Sequence, residues 1–249
     1  MTVVWTTAFV DLPAPVHVRG TGFWCAVTGT TPSEPRGEDA QFATLLPADG
    51  DPFLRVQRLG GEPRVHVDLH VDDVAGEAER AVALGARVLL RDEHVVLTSP
   101  GGFVHCLVRD EGERVRPRPV TGARGGTTRV DQVCLDVPAV LLDAELSYWT
   151  TLTRWPVRST PPSELTVLDR SPGLPLRVLV QELGADDRRT RVGAHLDLAC
   201  GPDVEVVVGE HRALGARVVD ATHPWTVMRD PAGLVYCLTP RDPWTGIGG

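Results

Sequence analysis

Two short stretches of this 249-residue chain place histidine and aspartate where they could act together: His66-Val67-Asp68-Leu69-His70 and His195-Leu196-Asp197. Alternation with apolar neighbours is the period of a half-buried β-strand, so His66, Asp68 and His70 share one face while Val65, Val67, Leu69 and Val71 share the other. An imidazole beside a carboxylate suits general acid–base chemistry, but neighbours two apart on a strand also serve as hydrogen-bonded structure, which is the reading favoured here. At about 3.3 Å per residue His66 and His70 stand roughly 13 Å apart and cannot share one metal ion. Cysteine is the other reactive type. Cys25, Cys106, Cys134, Cys200 and Cys237 are scattered without a C-x-x-C pair, unlike a disulfide framework or structural zinc site, and read as reduced, mostly buried thiols. No G-x-S-x-G elbow is present, and no G-x-G-x-x-G follows a strand, so serine hydrolases and dinucleotide enzymes are set aside.

Composition narrows the chemistry further. All 25 Lys+Arg residues are arginine, which excludes Schiff-base lysines and the phosphate-binding lysine of P-loop enzymes. The net charge of -8 opposes nucleic acid and anionic membranes as partners. No apolar run is long enough to span a bilayer, and Met1-Thr2-Val3-Val4-Trp5 lacks the pattern of a secretion signal, so a cytoplasmic protein is expected.

The elements that must position these residues are repeated. Trp5 to Ala14 aligns without gaps on Val130 to Ala139, and Phe23-Trp24 on Tyr148-Trp149. His66-Val67-Asp68-Leu69 aligns on His195-Leu196-Asp197-Leu198, Leu84-Gly85-Ala86-Arg87-Val88 recurs unchanged at 214–218, and Phe103-Val104-His105-Cys106-Leu107 parallels Leu234-Val235-Tyr236-Cys237-Leu238. Conserved order makes this a tandem duplication. Each half reads as two strand-helix-three-strand segments. Asp73 is the expected N-cap of a helix burying Val74, Ala78, Ala81 and Val82 and ending at Gly85. In the second half Val204-Glu205-Val206-Val207-Val208 has strand propensity, but the repeat, with Asp203 in place of Asp73, predicts a helix. Trp24 and Trp149, matched in the repeat, are expected as core anchors, whereas Trp225 and Trp244 have no partner of their type. The expected domains are residues 1–110 and 129–249, joined by a solvated linker, 111–128, rich in Arg, Pro and Gly.

With these motifs the chain resembles the vicinal oxygen chelate superfamily of glyoxalases, bleomycin-resistance proteins and extradiol dioxygenases, over nearly all of its length. Its most specific pieces are His66 to Asp73 before an Ala-rich helix, and Arg229-Asp230-Pro231-Ala232-Gly233-Leu234-Val235-Tyr236-Cys237-Leu238. The resemblance implies an α+β fold of two tandem glyoxalase-like domains, each of paired βαβββ units forming an incomplete barrel. It also implies ligand positions near Thr7, Gln57, His66 and Cys106 in the first half, and near Gln132, Gln181, His195 and Cys237 in the second. The glutamates that usually supply charge are here Gln57 and Cys106, or Gln181 and Cys237, and a hard divalent cation would lose the carboxylates that offset its desolvation.

The function expected from this is binding of a small organic molecule in a concave pocket, without a metal. The pocket residues would be Gln57, His66, Asp68, His70, Gln132, Gln181, His195 and Asp197. The alternative is a metal-dependent lyase, isomerase or dioxygenase of the same superfamily, holding a divalent metal through His66, Gln57 and Cys106 or through His195, Gln132, Gln181 and Cys237. Monomer and homodimer are both compatible with a tandem duplication.

Overall fold

The computed structural model describes residues 3–160, 162 and 164–247. The first half runs β1 (Trp5–Pro13), α1 (His17–Thr28), β2 (Thr31–Pro32), β3 (Phe42–Leu46), β4 (Leu54–Leu59), β5 (Arg64–Val71), α2 (Val74–Ala83), β6 (Arg87–Arg91), β7 (Val95–Thr98) and β8 (Val104–Arg109). After β9 (Val120–Thr121) the second half repeats the order: β10 (Thr127–Pro138), α3 (Leu142–Thr153), β11 (Val157–Thr160), β12 (Leu165–Leu168), β13 (Arg177–Leu183), β14 (Gly193–Ala199), α4 (Val204–Ala213), β15 (Arg217–Asp220), β16 (Thr226–Arg229) and β17 (Val235–Thr239). The fold is α+β. One open sheet has the order β2-β3-β4-β1-β5-β8-β7-β6 and the other β11-β12-β13-β10-β14-β17-β16-β15, with β9 paired to β10.

Helical spacing decides α1 despite its glycines: Gly20, Phe23, Trp24 and Val27 fall on one buried face, and the helix stops at Gly29, whose φ of 60° is left-handed. The duplication correctly overrides propensity at α4, where Val207, Val208 and His211 are buried. Its start differs from the expectation, because a 3-10 turn at Gly201–Asp203 leads into it and Asp203 makes no side-chain cap, whereas Asp73 accepts from the Gly76 amide at 2.9 Å. On α2 the buried face is narrower than expected: Ala78 and Ala81 are buried, but Val82 is 44% exposed. Between the halves, β9 pairs with β10, which begins at Thr127.

Contacts group the chain into two compact units. Unit 1 comprises Met1–Ala8, His66–Arg114 and Val133–Ala194; unit 2 comprises Phe9–Val65, Val115–Gln132 and His195–Gly249. Each takes one strand-helix-three-strand segment from each half. In unit 1, α3 packs on β8, with the Trp149 ring 5.0 Å from that of His105, and Arg80 of α2 donates to the Thr151 and Leu152 carbonyls. In unit 2, α1 packs on β17 and α4 through Phe23, Trp24, Tyr236 and His211. Trp24 and Trp149 are fully buried, as core anchors should be. The sheet-edge strands β6 and β15 are outward-facing, with Leu89 59% and Val219 47% exposed, and each carries a register shift, at Val88/Leu90 and Val218/Asp220.

Candidate functional site

The helix contacts identify the two faces of the strands. His105 and Tyr236 point to the helices, so their neighbours Cys106 and Cys237 point to the opposite face. Parallel pairing sets Asp68 beside Cys106 in unit 1 and Asp197 beside Cys237 in unit 2. The polar row of β5 therefore lies on the helix-free face. It is not half-buried as the alternation predicted: His66, Asp68 and His70 are 6%, 4% and 0% exposed, and the apolar row is buried too.

In unit 1, one ligand atom from each of His66, Asp68 and Cys106 lies within 4.8 Å of the others. The His66 Nε2 to Asp68 Oδ1 distance is 3.9 Å. His70, on the same face, has a different environment: its Nε2 meets the Thr7 hydroxyl at 2.9 Å and its Nδ1 lies 3.6 Å from Glu113 Oε2. Thr7, a ligand position by resemblance, thus directs its hydroxyl to His70. Next door, on the helix face, burial holds the His105 imidazole down to about 4, with the His66 charge adding to it, so His105 is neutral at pH 7.

In unit 2 the corresponding histidine and aspartate are tied into a charged network. His195 Nε2 lies 3.2 Å from Asp197 Oδ1, the Gln132 amide donates to Asp197 Oδ2, and Arg241 Nη1 stands 3.6 Å from the same oxygen. Arg241 also donates to the buried Asp131. Burial alone would lift the Asp197 carboxyl, but the hydrogen bond and charge of His195, the Arg241 charge and the Gln132 amide outweigh it and hold the group below its ordinary 3.8. Asp197 is therefore a carboxylate at neutral pH.

The remaining sequence-derived positions are spread out. Gln57 is half-buried on β4, in register with Phe42. Gln181, on β13, accepts from the Cys134 thiol at 3.6 Å, and Cys134 itself packs with Val167 and Leu179. Cys237 is 5% exposed. All five cysteines are free thiols. Trp225 stacks on His223 with ring centroids 4.8 Å apart, and Trp244 is 59% exposed. Sequence reasoning missed Arg241 and Asp131, and also Glu113. Arg241 follows the end of β17, where no periodicity marks it.

The donors fit a metal differently in the two units. Histidine, carboxylate and thiol together suit a borderline-soft divalent ion, and tetrahedral zinc at about 2.0–2.3 Å from each donor would draw the unit 1 trio only modestly closer. In unit 2 a permanently charged guanidinium already balances Asp197, and a cation bound by that carboxylate would face it.

Comparison with known proteins agrees with this architecture. Solved structures of glyoxalases and extradiol dioxygenases of the vicinal oxygen chelate superfamily match across both halves. A manganese-bound glyoxalase from Novosphingobium aromaticivorans has a TM-score of 0.69 at 14% identity, covering 100% of this chain and 87% of that one. The 2,3-dioxygenase LapB from Pseudomonas sp. KL28 has a TM-score of 0.65 at 14% identity, covering 96% and 92%. The 2,2',3-trihydroxybiphenyl 1,2-dioxygenase from Sphingomonas wittichii has a TM-score of 0.58 at 16% identity, covering 93% and 88%. At these identities the likeness is one of fold. The family model described as a glyoxalase-like domain matches residues 7–108 and 132–239, and the chain belongs to that family. No curated protein matches the sequence. Among the described residues no helix is long and apolar enough to cross a membrane.

Proposed function

We propose that this protein binds a small organic molecule against the helix-free polar face of its sheets and does so without a resident metal. The observation that carries this reading is the Arg241–Asp197–Gln132 network. It supplies, from side chains alone, the charge balance that a metal would otherwise provide, and it fixes the His195 imidazole as a polar contact for a hydroxyl or carbonyl oxygen. The net charge of -8 favours a small-molecule partner over nucleic acid. The test is a thermal-shift screen of small oxygenated compounds with and without chelator. One compound class should raise the melting temperature, by mass action, equally in both conditions. His195→Ala should weaken that compound about tenfold, the scale of one lost hydrogen bond to a charged pair. No stabilising class, or a shift abolished by chelator, would overturn the reading.

A second reading is favoured by the convergence of His66, Asp68 and Cys106: a metal-dependent lyase, isomerase or dioxygenase working from unit 1. A bound divalent ion would supply Lewis acidity toward a substrate oxygen. His66, Asp68 and Cys106 would hold it, and their burial would keep bulk water away. Elemental mass spectrometry decides, after incubating the full chain with iron, manganese, nickel, zinc or copper and desalting. Near-stoichiometric retention lost in His66→Ala supports the enzyme; no retention of any metal retires it.

A further inference from the structure

Unit 2 contains a cavity of about 310 Å³ on the other side of its strands from the polar face. Phe42 of β3 and Arg55 of β4 both pack against the Phe9 ring of β1 on the helix-free face, so the register pair Leu45 and Leu54 turns to the helix side. There they form the cavity wall with Val27 of α1, Phe53, Pro119 and Val120. The wall depends on a close approach: a Cβ on Gly29, where φ is 60°, would lie 2.9 Å from Val120 Cγ1. The Thr28 and Thr30 hydroxyls at its edge are engaged with each other at 2.8 Å. At the rim, Asp49 is matched by Arg118, 3.4 Å away.

One charge in this lining is unmatched. Arg129 lines the cavity and is only 7% exposed. Its guanidinium donates to the Trp244 carbonyl at 2.8 Å and, at 3.4 Å, to that of Pro117. Its Nε makes no hydrogen bond, and among the described residues Arg129 forms no ion pair. A guanidinium stays protonated at any physiological pH, and buried charges are ordinarily paired because carbonyl dipoles replace only part of the lost hydration. Apolar walls around a buried cation without a counterion are the complement of a molecule with an apolar body and one anionic end. A volume of this size matches the lower range of small-ligand pockets.

We propose that this cavity is a second ligand site, separate from the His–Asp faces, and that it takes a medium-chain amphipathic carboxylate. The chain lies against Leu45, Phe53, Leu54 and Val120, and the carboxylate sits on Arg129. Selectivity comes from the guanidinium, since the threonine hydroxyls are engaged and Asp49 is neutralised.

The experiment is isothermal titration of the full chain with octanoate, 1-octanol and octylamine. Octanoate should bind at least tenfold more tightly than octanol, and octylamine should not bind. Arg129→Gln should remove the advantage of acid over alcohol while leaving alcohol binding in place. Ala48→Trp, a substitution at an exposed lining residue remote in sequence from Arg129, should weaken both acid and alcohol at least tenfold. His66→Ala and His195→Ala should leave octanoate unchanged, which keeps this site distinct from the function proposed above. Equal affinity for acid and alcohol would overturn the proposal, as would octanoate binding indifferent to Ala48→Trp or no octanoate binding at millimolar concentration. Should Arg129→Gln not fold, the acid-to-alcohol ratio of the wild type and the Ala48→Trp result still decide.

Discussion

The opening helix of each half meets its strands through equivalent positions, yet the two units fill those positions with exchanged residues. In unit 1, α3 carries the buried carboxylate: Glu145 accepts from the Gly101 amide and from Trp149 Nε1, the latter at 2.9 Å. In unit 2 the position equivalent to Glu145 is Gly20, and the carboxylate comes from the turn before β17. There Asp230 accepts from Trp24 Nε1 at 2.9 Å and from the Ala232 and Leu234 amides at 2.8 Å. The hydroxyl–imidazole contact is exchanged in the same way. Tyr148 of α3 meets His105 of β8 at 2.8 Å, whereas Tyr236 of β17 meets His211 of α4 at 2.8 Å. Each indole keeps one buried acceptor and each imidazole one hydroxyl, so the bond is what both units retain while the residue supplying it has moved. A duplicated segment can drift in this manner only by paired changes, because a buried donor left without an acceptor costs more than the bond gained.

One-sided changes should therefore be costly, and most costly where the most donors depend on one group. Asp230→Ala strands three buried N–H groups and should cost about 4 kcal/mol, against about 3 kcal/mol for Glu145→Ala, which strands two, at roughly 1–3 kcal/mol per unsatisfied group. Urea unfolding measures both; a near-neutral Asp230→Ala would end the comparison. Gly20→Ala should cost about 2 kcal/mol by overpacking, since its Cβ would lie 2.6 Å from Leu12 Cδ1 and 2.9 Å from the Ala232 Cβ. Adding Ala232→Gly, which copies the Gly101 of unit 1, should recover part of that loss and so sharpen the equivalence. Tyr148→Phe and Tyr236→Phe should each cost about 1 kcal/mol, and by similar amounts, because each breaks one hydroxyl–imidazole bond.

The imidazoles add a pH signature to the same comparison. Burial depresses both His105 and His211 to about 4 from an ordinary 6.5. Above 6.5 neither folded nor unfolded chain protonates them. As pH falls toward 4 the unfolded chain takes up protons that the folded chain refuses, so stability declines over that window. Urea midpoints at pH 7, 5.5 and 4.5 should fall in order, and His105→Gln should flatten part of the slope. Burial lifts the Glu145 and Asp230 carboxyls, which pull the other way, so the difference in slope between the wild type and His105→Gln reads the imidazole; identical slopes would mean that His105 is not depressed.

Much of this organisation is legible in the sequence because periodicity and repetition are local or regular signals. The valines of α4 could be read as helix only through Leu214-Gly215-Ala216-Arg217-Val218, the duplicate of 84–88. The common face of His66 and Asp68 follows from strand geometry alone. That His70 is engaged by Thr7 and Glu113 does not, since Glu113 lies beyond the end of β8 in a stretch with no pattern. The role of Arg241 is hidden for the same reason, and so is the cavity beside Arg129: both depend on where irregular segments lie against strands, which neither charge nor propensity encodes. The matched Phe23-Trp24 and Tyr148-Trp149 set the frame of the repeat, but only the contacts reveal that the acceptor Glu145 provides in unit 1 comes from Asp230 in unit 2.

The shifted registers of the edge strands bear on behaviour in concentrated solution. An edge such as Arg87-Val88-Leu89-Leu90-Arg91 exposes apolar side chains and a row of backbone groups that could recruit another chain. The bulge at Val88/Leu90, like the one at Val218/Asp220, breaks the even spacing that an incoming strand would need, and the two flanking arginines repel a like copy. Irregularity at the margin thus guards against runaway strand addition, and straightening either bulge by deletion should increase self-association as read by light scattering.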